Sequence, residues 1–202
     1  MKNSLSNVHK EDRRVTRTRA ALRKALRDLV NEKGFDTITI EEITKRADVG
    51  RTTFYLHYRD KEDIFFEAFK KKLFAQVENI SPRPLIKWFS RGEGNMVRAL
   101  LEIVLENADL FQAITKEQSG KVFNRFRDIH VEAVSKLLEK SPMIQQRAQK
   151  ADFPFDFALN YYSGALWSCI VWWVEQDFRL DIEEVTDYFL RMFTPGLIAI
   201  LP

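Results

Sequence analysis

The residues best suited to recognition chemistry lie in a short segment from Arg51 to Tyr58. Helical periodicity places Phe54 and Tyr58 on one face and leaves a polar face opposite them. An exposed arginine on such a face can donate two parallel hydrogen bonds to O6 and N7 of a guanine, and hydroxyl groups suit phosphate oxygens. The outward residues are therefore candidates for nucleic-acid contact: Arg51, Thr52, Tyr55 and Leu56.

The preceding residues predict a helix that would position this face. Apolar residues recur at positions 40, 43 and 47, which is the period of a helix with one buried side. Thr39 and Glu42 form a Thr-x-x-Glu capping box at its start. Gly50, in the break 48–50, is predicted to supply the turn dihedrals, and Asp60 is an N-cap candidate for a third helix from Lys61. A helix, a short turn containing glycine and a second helix are typical of a DNA-reading helix-turn-helix.

The rest of the chain also predicts helices, so the expected fold class is all-α. We expect a helix-turn-helix domain at residues 1–60, ordered from about residue 13 after a polar arm, and a helical regulatory and dimerisation domain at residues 61–202. The two prolines in 81–84 indicate a linker. A short apolar helix or turn is predicted at 110–115 and a separate helix at 122–140, and Pro195-Gly196 is predicted to end or kink the last helix.

Charge is distributed unevenly along the chain. Residues 1–60 carry 14 Lys and Arg against 9 Asp and Glu, while the remainder carries 18 against 20. Arginines crowd the first predicted helix, where positive charge at its N-terminal half opposes the helix dipole. For any single arginine a solvated surface is the simpler interpretation. For the whole cluster beside a helix-turn-helix, proximity to DNA phosphates is favoured.

Other function classes find little support in the sequence. The three histidines lie in different segments and lack a second ligand at metal spacing. No catalytic constellation is visible, so neither an enzyme nor a cofactor is expected. The N-terminus shows no secretory signal, and the single cysteine fits a reducing cytoplasm. Residues 157–174 carry no formal charge, but acidic flanks and internal polar residues favour a buried helix over a membrane span.

Aromatic residues concentrate in the last two predicted helices, which are apolar on more than one face. Two such helices need a partner besides their own core, and a four-helix bundle between two copies would supply one. The alternative is a single large monomeric core. The residues predicted for a dimer interface are Tyr161, Trp167, Trp172, Tyr188 and Phe189.

The run GFDTITIEEITKRADVGRTTFYLHYRDKEDIF resembles the DNA-binding domain of TetR/AcrR-type bacterial transcriptional regulators. The resemblance covers about residues 13–69 and is most specific at Thr53-Phe54-Tyr55, His57-Tyr58 and Asp60-Lys61-Glu62. It implies a phosphate contact at Thr39, DNA-facing roles for Thr53 and Tyr55, and backbone contacts for His57 and Lys61. Arg51 and Thr52 match the variable positions that reach base edges. The chain departs from the family at Gly50, where serine often caps the helix.

The resemblance implies a homodimeric, cytoplasmic and nucleoid-associated repressor that binds a palindromic double-stranded DNA operator. A small-molecule effector in the C-terminal domain would release it, with the helix 61–79 as the mechanical link. The alternative is a regulator or coactivator controlled by a protein partner. Weak candidates for an effector pocket are Phe89, Leu101, Phe111, Phe126, His130 and Trp167.

Overall fold

The computed structural model describes residues 2–79, 95–139, 145–146 and 154–200. These residues form helices, and the described part of the chain contains no strand. The prediction of an all-α protein is therefore confirmed. Contacts divide the chain into two compact units, Met1–Ala68 and Phe69–Pro202.

Unit 1 begins with helix α1, Lys2–Lys33. Residues 2–12, which were expected to form a polar arm, continue this helix. No proline or glycine occurs between residues 2 and 33, so nothing in the local sequence stops the helix. Gly34 ends it with a φ of +79°, and its N–H donates to the Val30 carbonyl at 2.9 Å. A left-handed residue after the last helical turn is a common helix end, and glycine adopts it without strain.

Two short helices follow, α2 at Ile40–Arg46 and α3 at Arg51–Tyr55. The second is shorter than the predicted 51–58. Helix α4 then runs over Lys61–Asn79, as predicted, and the Asp60 carboxylate accepts a hydrogen bond from the Asp63 N–H at 2.6 Å. The division between the units falls inside α4, whereas the sequence-based boundary lay at its start.

Unit 2 contains α5 (Met96–Leu105), α6 (Ala108–Glu139), α7 (Phe155–Glu175) and α8 (Ile182–Ile200). Helix α6 packs most extensively against α7, and α8 packs against α5 and α7. Four rings fill the centre. Phe126 stacks on Trp167 at 4.6 Å between centroids and on Phe111 at 5.0 Å, while Phe69 meets Phe126 edge-on at 4.9 Å.

Two helix boundaries predicted in unit 2, a break between residues 115 and 122 and an end at Pro195, were wrong. Residues 110–115 and 122–139 belong to one helix, α6, which passes through Gly120. A mid-helix glycine costs about 1 kcal/mol, and burial of Phe111, Ile114, Val122 and Phe126 on either side offsets that cost. Helix α8 likewise continues past Pro195. Pro195 and Arg191 are exposed, so water can bond the carbonyl that proline leaves without a partner.

Among the described residues, no helix is long and apolar enough to cross a membrane.

Candidate nucleic-acid interface

Helix α3 presents a polar face to solvent and an aromatic face to the core. Phe54 is fully buried and Tyr58, just after the helix, is buried as well. Arg51 and Thr52 are exposed, as are Tyr55 at 53 % and Leu56 at 76 %. The predicted orientation of the helix is confirmed. With Leu56 exposed to this extent and Arg51 exposed as well, the surface is suited to the edges and methyl groups of DNA bases.

The turn between α2 and α3 differs from its prediction. The left-handed residue is Asp48, with φ of 53°, and not Gly50. The Asp48 N–H donates to Lys45 at 3.3 Å and the Val49 N–H to Thr44 at 3.0 Å, which is the paired bonding of a Schellman helix end. Aspartate adopts this conformation more readily than most residues because its short side chain is polar. Gly50 is the extended N-cap of α3, with φ of −72° and no side-chain cap.

A serine at position 50 is expected to stabilise the domain. A Cβ there would lie 3.9 Å from Thr53 Oγ1, an ordinary contact, and its hydroxyl could accept from the free N–H groups of α3. Gly50→Ser should raise the free energy of unfolding by a few tenths of a kcal/mol to about 1 kcal/mol, measured by urea denaturation. The contrasting variant is Gly34→Ser, expected to lower it by about 1 kcal/mol because of the positive φ. A Gly50→Ser protein less stable than the native one would contradict this.

Thr39 caps α2 as predicted. Its hydroxyl accepts from the Glu42 N–H at 3.3 Å and donates to Glu42 Oε2 at 2.9 Å, and the Thr39 N–H donates to the same carboxylate at 2.9 Å. Lys33 Nζ donates to Glu42 Oε1 at 2.5 Å. The hydrogen bond from Lys33, followed by those from Thr39, lowers the pKa of Glu42 to about 2. Thr39 therefore has a structural role whether or not it contacts phosphate. The role of Lys33 could not be predicted from local spacing, because Lys33 and Glu42 lie nine positions apart.

Lys61 is also hydrogen-bonded within unit 1. Its ammonium donates to the carbonyl oxygens of Phe35, Asp36 and Ile38 at 2.8, 3.0 and 3.3 Å. It also lies 4.5 Å from the centroid of the Phe35 ring. An ammonium has three N–H donors, and these carbonyls use them all. The predicted phosphate contact would require these bonds to break.

Two arginines of the α1 cluster face inward. Arg19 and Arg23 lie 3.5 and 3.2 Å from Glu67 Oε1. Burial raises the pKa of the Tyr58 hydroxyl, and the neighbouring Glu67 carboxylate raises it further. These arginines therefore stabilise the packing of α1 on α4. Other arginines of unit 1 are exposed and form no ion pair among the described residues: Arg13, Arg14, Arg17, Arg27 and Arg51.

Thr53 and His57 are half-buried beside the exposed face. The His57 ring lies 6.5 Å from the Tyr58 ring in an edge-on arrangement, and the backbone N–H of His57 donates to the Phe54 carbonyl at 2.9 Å. Both residues border the exposed surface of α3. The arrangement brings every predicted DNA contact into unit 1: Thr39, Arg51, Thr52, Thr53, Tyr55, Leu56, His57 and Lys61.

The candidate pocket residues of unit 2 form its core. Leu101, Phe111, Phe126, His130 and Trp167 are all buried, and Phe89 lies outside the described residues. His130 Nδ1 lies 3.1 Å from Ser163 Oγ. The Trp167 indole N–H is buried and has no hydrogen-bond partner within the described part of the chain. The core is thus aromatic with a small polar cluster inside it.

Burial of His130 has a consequence for pH. Burial lowers its pKa to about 3, whereas an unfolded histidine titrates near 6.5. Below about pH 6.5 the unfolded chain takes up a proton that the folded chain does not, so the free energy of unfolding decreases as the pH is lowered, by up to about 1.4 kcal/mol per pH unit, until about pH 3. His130→Gln should flatten this dependence in denaturant unfolding between pH 7 and pH 5. Parallel pH profiles for the two proteins would show that His130 does not contribute.

The predicted dimer residues divide into two groups. Trp167 and Phe189 are buried in the core of their own unit, so their assignment to an interface is corrected. Both pack against rings of their own chain, Phe126 and Tyr162. The others are exposed, Tyr161 at 66 %, Tyr188 at 47 % and Trp172 at 41 %.

Comparison with known proteins agrees with this geometry. Residues 22–68 match the family model of bacterial regulatory proteins of the tetR family. Residues 94–195, half of the chain, match a model described as a transcriptional regulator C-terminal region. The chain is similar to a solved structure of Thermus thermophilus FadR, a TetR-family transcriptional repressor, in complex with lauroyl-CoA. The TM-score is 0.64 at 20 % identity, over 86 % of this chain and 92 % of the other.

Two curated proteins of Bacillus subtilis are also similar. The uncharacterized HTH-type transcriptional regulator YxbF is 33 % identical over 107 residues, which are 52 % of this chain but only 28 % of YxbF. The fatty acid metabolism regulator protein is 22 % identical over 186 residues, which are 84 % of this chain and 90 % of that protein. Since both family models match, the chain belongs to the TetR family of bacterial transcriptional regulators.

Proposed function

We propose that the protein is a homodimeric repressor that binds a palindromic operator through α3 and leaves it when an effector occupies unit 2. The observation that carries the proposal is the face of α3. Four side chains capable of base and backbone contacts are exposed there, while Phe54 and Tyr58 fix the helix to its core. Such a protein acts in the cytoplasm, on the DNA of the nucleoid.

The side chains of unit 1 suit different parts of DNA. Arg51 and Thr52, at the start of α3, are assigned to base edges. Thr53, Tyr55 and His57 have groups for phosphate oxygens, which set the register without reading sequence. Leu56, exposed at 76 %, has the apolar surface that favours a thymine methyl.

Dimerisation is proposed through α7 and α8. Positions 157, 161, 164, 168 and 172 fall along one stripe of α7 at helical spacing, with Phe157, Tyr161 and Trp172 exposed around the small residues Gly164 and Ser168. Tyr188 and Met192 form an exposed pair on α8 four residues apart. Two copies would bury these stripes in a four-helix bundle. The dimer would set two α3 helices to successive major grooves, about 34–36 Å apart.

Long-chain acyl-CoA is the effector class proposed for the first test. The solved relatives FadR of T. thermophilus and of B. subtilis are complexes with lauroyl-CoA and stearoyl-CoA. In this chain the centre of unit 2 is lined by aromatic rings and contains the Trp167 N–H, which lacks a partner among the described residues. An acyl chain can pack against the aromatic rings, and a carbonyl oxygen can accept a hydrogen bond from the Trp167 N–H.

The release mechanism proposed is a population shift carried by α4, which begins in unit 1 and ends in unit 2. An effector that binds one conformation better would favour it, and that conformation would no longer match the operator. Lauroyl-CoA should then reduce operator binding, while coenzyme A alone should not. Equal operator affinity with and without saturating effector would refute the mechanism.

Control by a protein partner is the second candidate. It is favoured by the stacking of Phe111, Phe126 and Trp167 at 4.6–5.0 Å, because a ligand there must displace rings already in contact. A partner would bind exposed surface instead.

Selection from a random double-stranded DNA pool tests the DNA-binding proposal itself. We expect an inverted repeat whose half-sites lie about one helical turn apart. Enrichment of single half-sites, or of no sequence, would contradict it.

A further inference from the structure

Lys61 occupies a position for which the sequence suggests contact with DNA, but its surroundings are those of a structural residue. The first residue of α4, it carries an ammonium that donates to three backbone carbonyls of one turn, residues 35–38. We infer that Lys61 is a positioning residue: it fixes the 35–38 turn, and through it the start of α2, so that the helix-turn-helix can bind the operator.

The carbonyl groups of the 35–38 turn lie outside the regular hydrogen bonds of a helix or strand. The turn connects the end of α1 to the N-cap of α2, and its residues form no helix or strand. Phe35 O accepts from the Ile38 N–H at 3.2 Å as well as from Lys61. The Phe35 and Ile38 side chains are buried, which brings their carbonyls close to the core. Carbonyls in such a place cost free energy when left without a donor.

The position of the ammonium supports this role. It lies 2.8–3.3 Å from the three oxygens and 4.5 Å from the Phe35 ring centroid, so a cation–π contact adds to the hydrogen bonds. A lysine held for phosphate would keep donors directed at solvent. Here all three donors are directed at carbonyls of the same chain.

The turn leads directly to the residues that start α2. Thr39 follows Ile38, and its capping box with Glu42 sets the direction of that helix. Lys33 joins the same network from the end of α1, donating to the Thr37 carbonyl at 3.1 Å and to Glu42. Lys61 therefore links the first turn of α4 to the first turn of α2 within unit 1. A displacement of the start of α4 would pull on the turn that places α2.

Three substitutions separate positioning from phosphate binding. Lys61→Met keeps the apolar stem and removes the donors, Lys61→Gln keeps two N–H donors without charge, and Lys61→Arg keeps the charge in a planar group that cannot place one nitrogen among three carbonyls. Operator affinity is measured for each over a range of salt concentrations. The control for loss of one charge is Lys45→Met, since Lys45 is exposed on α2.

A positioning role predicts that Lys61→Met and Lys61→Arg each lose operator affinity by about 10-fold. The slope of log K against log salt concentration should change no more in these variants than it does in Lys45→Met. A phosphate contact predicts the opposite pattern. Lys61→Arg would bind like the native protein, and Lys61→Met would flatten the slope of log K against log salt concentration by about 0.9. That pattern, or native affinity in both variants, would overturn the inference. If Lys61→Met fails to fold, Lys61→Gln takes its place in the comparison.

The inference rests on the proposed operator binding, so a second measurement does without DNA. Hydrogen exchange at the Ile38 and Ile43 amides of the free protein should accelerate at least 10-fold in Lys61→Met and remain native in Lys45→Met. Native exchange in all variants would refute the positioning role even if operator binding is confirmed. Accelerated exchange in a protein that binds no DNA would support the contact and refute the proposed function instead.

Discussion

Replacing Tyr161 and Tyr188 by glutamate is expected to leave the protein monomeric at micromolar concentration and to lower operator affinity by about 100-fold or more. Both side chains are exposed in the single chain, at 66 % and 47 %, so neither substitution should disturb the protomer core. In a bundle of four helices the two substitutions would place four carboxylates in an apolar interface, where burial of a charge is costly. A monomer binds one half-site at a time, so it loses the added affinity that a dimer has from binding two half-sites at once.

Sedimentation velocity and operator titration together measure this effect. The control is Lys121→Glu, which changes net charge by the same amount at an exposed position of α6. The Lys121→Glu protein should remain dimeric. Its affinity for DNA should fall only by the amount that the change in net charge causes. A native protein that sediments as a monomer at micromolar concentration would contradict the proposed interface, as would a double variant that remains dimeric.

Arg51→Ala is expected to reduce the preference for operator over random DNA by about 5–150-fold. The physical reason is the bidentate contact with a guanine, worth about 1–3 kcal/mol of discrimination against other bases. Arg51 is exposed as the first residue of α3. The affinity of the variant for random DNA should fall much less, because on random DNA Arg51 contributes only one positive charge near the phosphates, whatever the sequence.

Parallel titrations of operator and random DNA at one salt concentration test this assignment. Arg27→Ala removes an exposed arginine from α1 of the same unit and serves as the matched control. It should weaken binding to the two DNAs equally or not at all. An equal loss for Arg51→Ala would show that Arg51 contacts the phosphate backbone and does not read bases.

Much of unit 1 could be predicted because its signals are local. The capping box of Thr39 and Glu42 and the outward face of α3 both depend on residues within one or two turns of each other. The assignment of the turn dihedrals to Gly50 was wrong because two residues in that break can adopt them. The Schellman bonding at the end of α2 places the left-handed residue at Asp48, directly after the C-cap.

The structure of unit 2 was harder to predict from the sequence because its helices are apolar on several sides. Local periodicity identifies a helix but cannot say which of two apolar faces meets the chain's own core. Trp167 and Phe189 were predicted at the dimer interface, yet both are buried among rings of their own unit. The continuous α6 also depended on packing on both sides of Gly120, which propensity alone does not include.

By itself, the sequence determined the all-α class and the position of the helix-turn-helix, since these follow from residue types and short spacings, and its resemblance to a known motif indicated the family. Only the tertiary structure decided the surroundings of individual side chains. Lys61 reaches carbonyls 23 to 26 positions away, and Arg19 and Arg23 reach a carboxylate 48 and 44 positions away. A long charged side chain takes whichever partner folding brings near it, and that partner is not encoded in its local spacing.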